Sequence, residues 1–316
     1  MITTPEPPIL GGIEAGGTKF VCVVGRGARE ILSGARIPTT TPAETLGRVV
    51  EFFEAARARF GAIAGFGIAS FGPLDLDPGS PGWGRLLRTP KPGWADIDVV
   101  APLRERFGAP VSVDTDVNGA GLAEALFGAG RGLRSLVYLT VGTGIGGGAI
   151  VDGVPLRGLS HPEMGHIPVA RHPNDRRFPG VCSFHGGCLE GLASGPAMRA
   201  RWGVPPESLP ADHAAWDVLG FYLAHLCVVA TMLLSPHRIV MGGGVMKNPP
   251  LLPAVRSWTR MLLAGYLPAL ERPLDDYIVA PHLGDRAGVL GALALAARAA
   301  GSHPTSSGAS SHEPLP

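Results

Sequence analysis

I-L-G-G-I-E-A-G-G-T-K-F-V-C-V-V, residues 9 to 24, reads as strand, glycine-rich turn, strand. The same pattern restarts at L-V-Y-L-T-V-G-T-G-I-G-G-G-A-I-V, residues 136 to 151, about 127 positions later. The echo is weak in identity and clear in pattern. It predicts two α/β domains that each open with a glycine-tipped hairpin.

Working outward from the first hairpin, residues 41 to 60 carry helical periodicity, with Leu46, Val49, Val50 and Phe53 on one face. A short apolar strand is expected at 65 to 72, then a Pro/Gly-rich loop from Pro73 to Trp94. Structureless loops of that length are uncommon and often functional. A helix at 98 to 107, a strand at 111 to 113 and a helix from about Gly119 to Phe127 complete the first half. After the second hairpin, 152 to 187 is irregular and helices dominate from Leu189 to Leu234. The apolar run Val218 to Leu234 contains His225 and reads as a buried core helix rather than a membrane span. Strands at 238 to 241 and 277 to 280 and a final helix at 287 to 300 follow. Residues 301 to 316 form a Ser/Pro/His tail of disordered composition.

The chain has 316 residues, 45% of them hydrophobic, which suits two domains with substantial cores. A net charge of +1 gives no footprint for nucleic acid or an anionic membrane. Of 27 basic residues only Lys19, Lys91 and Lys247 are lysines, and all three fall in Gly- or Pro-rich loops. Cys22 and Cys227 lie in apolar runs as buried thiols. No disulfide framework is suggested, the N-terminus has no signal-peptide pattern, and a reducing cytoplasm fits.

Three glycine turns stand out: Gly16-Gly17-Thr18-Lys19, the run from Gly142 through Thr143-Gly144 to Gly148, and Gly242-Gly243-Gly244 at the end of a strand. Glycines let backbone N–H groups approach and cradle an anion. Residues 142 to 147 match G-x-G-x-x-G, but a dinucleotide fingerprint must open a helix and this one runs into a strand, so it is set aside. No P-loop motif is present. Asp114-Thr115-Asp116-Val117-Asn118 follows a short strand and precedes a helix, so Asp116 is placed either as a general base or, with Asn118, as a helix cap. Glu14, before the first turn, either orients magnesium through water or simply ends a strand.

Between Glu163 and Glu190 the chain collects His166, Cys182, His185 and Cys188, the number and type of ligands a closed tetrahedral zinc site needs. His161 and His172 rank below His166 as alternatives. A structural zinc here would brace an irregular segment and fix Glu163 and Glu190 to grip a hydroxylated ligand.

Taken with their order, G-G-I-E-A-G-G-T-K-F (11 to 20), S-F-G-P-L (70 to 74), T-P-K-P-G-W (89 to 94), D-T-D-V-N-G-A-G-L-A-E (114 to 124), L-T-V-G-T-G-I-G-G-G (139 to 148), H-P-E-M-G-H (161 to 166), C-S-F-H-G-G-C-L-E-G-L-A-S-G-P-A (182 to 197) and V-M-G-G-G-V (240 to 245) resemble the ROK family of sugar kinases, most closely its bacterial fructokinases. The resemblance implies an α/β, actin-like ATPase (ribonuclease H-like) fold, duplicated into two domains with a cleft between them. The expected domains are 1–117 plus 286–300, the last helix returning to the first domain, and 118–285 with the zinc loop. It further implies ATP-dependent phosphorylation of the 6-hydroxyl of a hexose, D-fructose first, with ATP and Mg2+ as cofactors beside structural Zn2+, and a cytoplasmic homodimer.

By the same resemblance Asp116 takes the catalytic-base position. Glu163, His166, Glu190, Thr115 and Gly72 match sugar-binding positions. Gly16, Gly17, Thr18, Lys19, Thr143 and Gly144 match the phosphate loops, Gly243 and Gly244 the nucleotide loop, and His166, Cys182, His185 and Cys188 the zinc ligands. Two departures from the ROK glucokinases, Thr115-Asp116 for Asn-Asp and C-x-x-H for C-x-C, look like the fructokinase branch. Glu14 replaces the usual Asp. The alternatives are a glucose, mannose or N-acylhexosamine kinase, a non-catalytic sugar binder, and a sugar-sensing repressor, which would need a DNA-binding domain ahead of Ile9.

Overall fold

The computed structural model describes residues 6–89 and 91–301; the expected tail lies, beyond Gly301, outside the described residues. The chain separates into two compact units. Of the described residues, unit 1 takes those up to Gly132, the segment Arg157–His161 and those from Asp285 to Gly301; unit 2 takes Leu133–Leu156 and Pro162–Gly284.

Unit 1 is built on β1 (Ile9–Ala15), β2 (Lys19–Arg26), β3 (Glu30–Pro38), β4 (Gly65–Ser70) and β5 (Val111–Thr115), in sheet order β3-β2-β1-β4-β5. β1 and β2 form the expected antiparallel hairpin, and β1, β4 and β5 run parallel. One face is covered by α1 (Pro42–Phe60) and α2 (Ala101–Phe107), the other by α3 (Asp116–Phe127) and the chain's last helix, α8 (Ala287–Ala299). β4 shows how the sequence arranges this. In G-F-G-I the side chains alternate: Phe66 meets Phe53 of α1 edge-on at 5.0 Å, while Gly67 leaves room for the α8 backbone, which a Cβ would overlap. α8 can come that close because A-G-V-L-G-A-L-A-L-A-A-R-A presents small residues; Leu293 and Val289 then pack on Leu10 and Val23.

β3 was not expected. It is the edge strand, and most of its residues are at least partly exposed, so no apolar alternation marks it. α3 begins at Asp116 rather than near Gly119. Thr115, extended at φ −67°, caps the helix: its Oγ1 accepts the Asn118 N–H at 3.2 Å. All of α3 belongs to unit 1, so that unit runs past residue 117 to 132.

Unit 2 repeats the scheme with β6 (Ser135–Val141), β7 (Ile145–Val151), β8 (Val154–Pro155), β9 (Arg238–Gly242) and β10 (Ile278–Val279), in order β10-β9-β6-β7-β8. β6 and β7 form the second hairpin, and β9 runs parallel to β6. Its helices are α4 (Leu189–Ala193), α5 (Gly195–Trp202), α6 (Ala215–Leu234) and α7 (Leu251–Leu263). α6 is long and apolar enough to cross a membrane, but most of it is buried in unit 2, as the core-helix reading expected. α7 falls in a stretch to which the sequence reading assigned no element, and it contains or adjoins Pro249, Pro250 and Pro253. Those prolines fall before the helix and in its first turn, where no N–H is required.

Candidate active site

In unit 1 the register pairs Ala15 with Ser70 and Ser70 with Thr115, so three parallel strands end side by side. Their carboxyl ends carry the turn 16–19, Gly72 and Asp116, which is where open α/β sheets bind ligands. The Gly16-Gly17-Thr18-Lys19 turn is closed by Gly16 N–H donating to Lys19 O at 2.9 Å, and Gly17 and Thr18 are exposed. Thr39 steadies the turn, its hydroxyl donating to Gly16 O at 2.7 Å. The Lys91 ammonium donates to Thr39 O at 3.3 Å. Two of the three lysines therefore meet at one turn. The long loop is anchored there by buried Trp94, whose Nε1–H donates to Thr40 O at 2.9 Å and whose ring lies 5.4 Å from that of Phe20.

Asp116 is the first residue of α3 and only partly buried; its Oδ1 accepts the Val117 N–H at 2.8 Å. Thr115, not Asp116, is the helix cap. Asp114, by contrast, is fully buried and spent: Oδ1 accepts from Thr115 N–H at 2.8 Å and Asn118 Nδ2 at 2.7 Å, and Oδ2 from Arg157 at 2.5 Å. Glu14 lies largely buried near the end of β1. Burial, above all, raises its pKa above the usual 4.5; Asp285 adds to that rise, while Lys19 and Arg36 oppose it. A Cβ on Gly288 would meet the Glu14 carboxylate, so the glycine at the start of α8 makes room for it. Glu14 and Asp285 offer hard oxygen donors beside the first turn, the donor type magnesium takes.

In unit 2, His166, Cys182, His185 and Cys188 bring their ligand atoms within 4.8 Å of one another. Cys182 Sγ lies 3.7 Å from Nδ1 of both His166 and His185, and Cys188 Sγ lies 3.5 Å from Nδ1 of His166. Tetrahedral zinc, with bonds of about 2.3 Å to sulfur and about 2.0 Å to nitrogen, sets such atoms roughly 3.6 Å apart, so the donor set fits the metal. Local backbone builds the set. Cys182 and Gly186 exchange hydrogen bonds of 3.2 and 2.9 Å, and Gly186 adopts φ +56°, closing a tight loop. His166 ends the 3-10 turn Met164–His166, which packs on β7 because Gly147 and Gly165 have no side chain.

His161 and His172 stand elsewhere. His161 Nε2 accepts the Leu74 N–H at 3.2 Å within unit 1; His172 Nδ1 accepts from Asn174 N–H at 3.2 Å, and its Nε2 faces Asp217 at 3.2 Å.

Cys188 leads directly into α4, and Glu190 is the next residue but one. Its Oε2 accepts the Ile145 N–H at 2.9 Å, and its Oε1 lies 3.9 Å from His166 Nε2. The cluster thus holds a carboxylate against the second glycine turn, where Thr143 is exposed. Exposed Glu163 immediately precedes the 3-10 turn that carries His166. Gly243, at φ +95°, sits against the Val141 backbone with no room for a Cβ, which brings the third turn beside the second at the ends of β9 and β6.

Sequence reasoning missed Asp285 and Arg157. Asp285 had a faint signal, G-D-R-A-G ahead of the last helix; Arg157 had none, because its partner lies 43 residues away.

Two α/β units, each opening with a glycine-tipped hairpin, one ending its parallel strands at a carboxylate and the other carrying a zinc-type knuckle ahead of α4, define a duplicated actin-like architecture. The chain belongs to the ROK family, which it matches over residues 10–299. It is 52% identical over 295 residues to the fructokinase of Zymomonas mobilis, covering 92% of this chain and 97% of the relative. The ROK hexokinase of Thermus thermophilus superposes with a TM-score of 0.74 at 29% identity, covering 91% of this chain and 97% of that one. The ROK glucokinase of Streptomyces griseus, solved with glucose and AMPPNP, gives 0.69 at 27% identity, covering 92% and 99%.

Proposed function

We propose that this protein transfers the γ-phosphoryl group of ATP to the 6-hydroxyl of D-fructose, in the cytoplasm. The observation that carries the reaction is the division of labour at the β5–α3 junction. Asp114 is consumed by structure, and Asp116 is left partly open as the first residue of α3. Asp116 accepts the proton of the attacking hydroxyl. Glu163, Glu190 and His166 Nε2 hydrogen-bond sugar hydroxyls, with Thr115 and Gly72 as further contacts. Backbone N–H groups of 16–19, 143–144 and 243–244, with Lys19, bind phosphate oxygens. Bound ATP with magnesium supplies the phosphoryl group and its counter-charge, with Glu14 and Asp285 as the metal's oxygen donors. Zinc on His166, Cys182, His185 and Cys188 supplies rigidity.

Fructose is preferred over glucose because identity to the Zymomonas mobilis fructokinase, 52%, far exceeds the 27% to the Streptomyces griseus glucokinase. The protein is proposed to act as a homodimer, and exposed Met232 and Leu233 of α6 are apolar side chains an interface would cover. Light scattering checks the assembly.

Coupled ADP release with magnesium-ATP across fructose, glucose, mannose and N-acetylmannosamine tests the reaction. Preference for fructose is expected, and Asp116→Asn is expected to lower kcat by about 10²- to 10⁴-fold with the fold intact. Absence of sugar-dependent ADP release from folded, zinc-loaded protein would sink the reading in favour of a non-catalytic sugar binder.

A further inference from the structure

We propose that Asp114 and Arg157 form a positioning pair for Asp116. They reach no substrate; they fix the junction from which the Asp116 carboxylate projects. The inference rests on the kinase reading of that junction.

Asp114 has no exposed surface. Burying a carboxylate costs several kcal/mol unless it is paired and hydrogen-bonded. Here each of its acceptors goes to a purpose. The Thr115 N–H and the Asn118 side chain converge on Oδ1 at 2.8 and 2.7 Å, so one atom ties the cap residue to the first turn of α3. Thr115 Oγ1 closes the same loop by accepting from Asn118 N–H at 3.2 Å. Asp116 is thereby bracketed by two anchored residues. Thr115 alone would cap the helix, so capping does not explain a buried carboxylate paired with arginine behind it.

The counter-charge comes from a separate stretch of chain. After β8 the segment Arg157–His161 joins unit 1. Arg157 Nη2 donates to Asp114 Oδ2 at 2.5 Å and to Val113 O at 3.3 Å. His161, at the other end of the segment, receives the Leu74 N–H and lies against Gly72. Five residues therefore tie down the chain just beyond β4 and at the end of β5. Arg298 of α8 lies close enough to feel both charges, Asp114's and Arg157's. With Asp114 buried and Arg157 about a third exposed, the pair is a weak source of stability and a good source of fixed geometry. A base displaced by about 1 Å can lose roughly 10²-fold in rate.

The test is steady-state kinetics on the full-length, zinc-loaded protein with fructose and magnesium-ATP. Arg157→Gln is expected to lower kcat by about 10- to 100-fold while KM for both substrates stays within about three-fold, because binding groups are untouched. Arg157→Lys, which keeps one charged donor, should recover most of the loss. An Asp114→Asn, Arg157→Gln double variant should be no slower than Asp114→Asn alone, since the pair acts as a unit. Folded Arg157→Gln with kcat within two-fold of wild type would overturn the proposal, as would a loss carried by KM. If Arg157→Gln fails to fold, Asp114→Asn decides: a reduced kcat at unchanged KM supports the pair, and kcat within two-fold of wild type overturns it. A wild-type protein without sugar-dependent ADP release is a different failure, that of the kinase reading itself, and takes the pair's role with it.

Discussion

Single atoms decide much of this site. A Cβ on Gly144 would stand 2.6 Å from Glu190 Oε2, so Gly144→Ala must push the carboxylate off the Ile145 N–H. The flexible side chain can yield, so we expect little loss of melting temperature but a rise of about ten-fold in KM for sugar, the worth of roughly one hydrogen bond to a charged group. Glu14 makes the opposite trade. Its folded-state pKa is raised, mainly by burial, so the folded chain holds its proton longer than the unfolded one. The penalty is absent below about pH 4.5, grows as pH rises through the folded pKa, and is constant beyond. Glu14→Gln should therefore raise the melting midpoint at pH 7 and not at pH 4, by about 2–4 °C for each kcal/mol relieved. Calorimetry at the two pH values checks the sign.

Elements show what the sequence made legible. The two hairpins, the helix α1 and the four metal-type ligands were readable because each is written in local spacing: alternation, 3.6-residue periodicity, C-x-x-H-x-x-C. Partners distant in the chain were not. Nothing near Arg157 announces Asp114, and nothing in Gly288 announces the Glu14 carboxylate it makes room for. Edge strand β3 and helix α7 went unassigned: β3 lacks a buried face, and α7 carries prolines before and within its first turn, where a helix tolerates them.

The knuckle of 182–188 yields its own prediction. Burial pushes the Cys22 and Cys227 thiols up to about 12, so both should resist alkylation in the folded protein. Chelated protein should label at Cys182, the partly exposed knuckle thiol, with buried Cys188 slower, and zinc-loaded protein at about none. Cys188→Ala should abolish stoichiometric zinc and lower the melting temperature. Labelling of four thiols in the folded, chelated state would contradict the burial.

At the scale of the whole molecule, unit 1 is discontinuous: its sheet is laid down by residues 9 to 115, yet α8, which fills one face, is the last helix of the chain. Leu10 and Val23 find Val289 and Leu293 only then. A chain ending at 284 should keep a protease-resistant unit 2 and present unit 1 as an early cleavage target; resistance of both units would refute this. On the ribosome the consequence is one of timing. The segment made first cannot mature first, since its apolar face waits through the synthesis of the entire second unit, and at about 5–20 residues per second that wait lasts on the order of ten seconds or more. The nascent chain therefore has a built-in interval of vulnerability to chaperones and proteases, set by where its final helix is encoded.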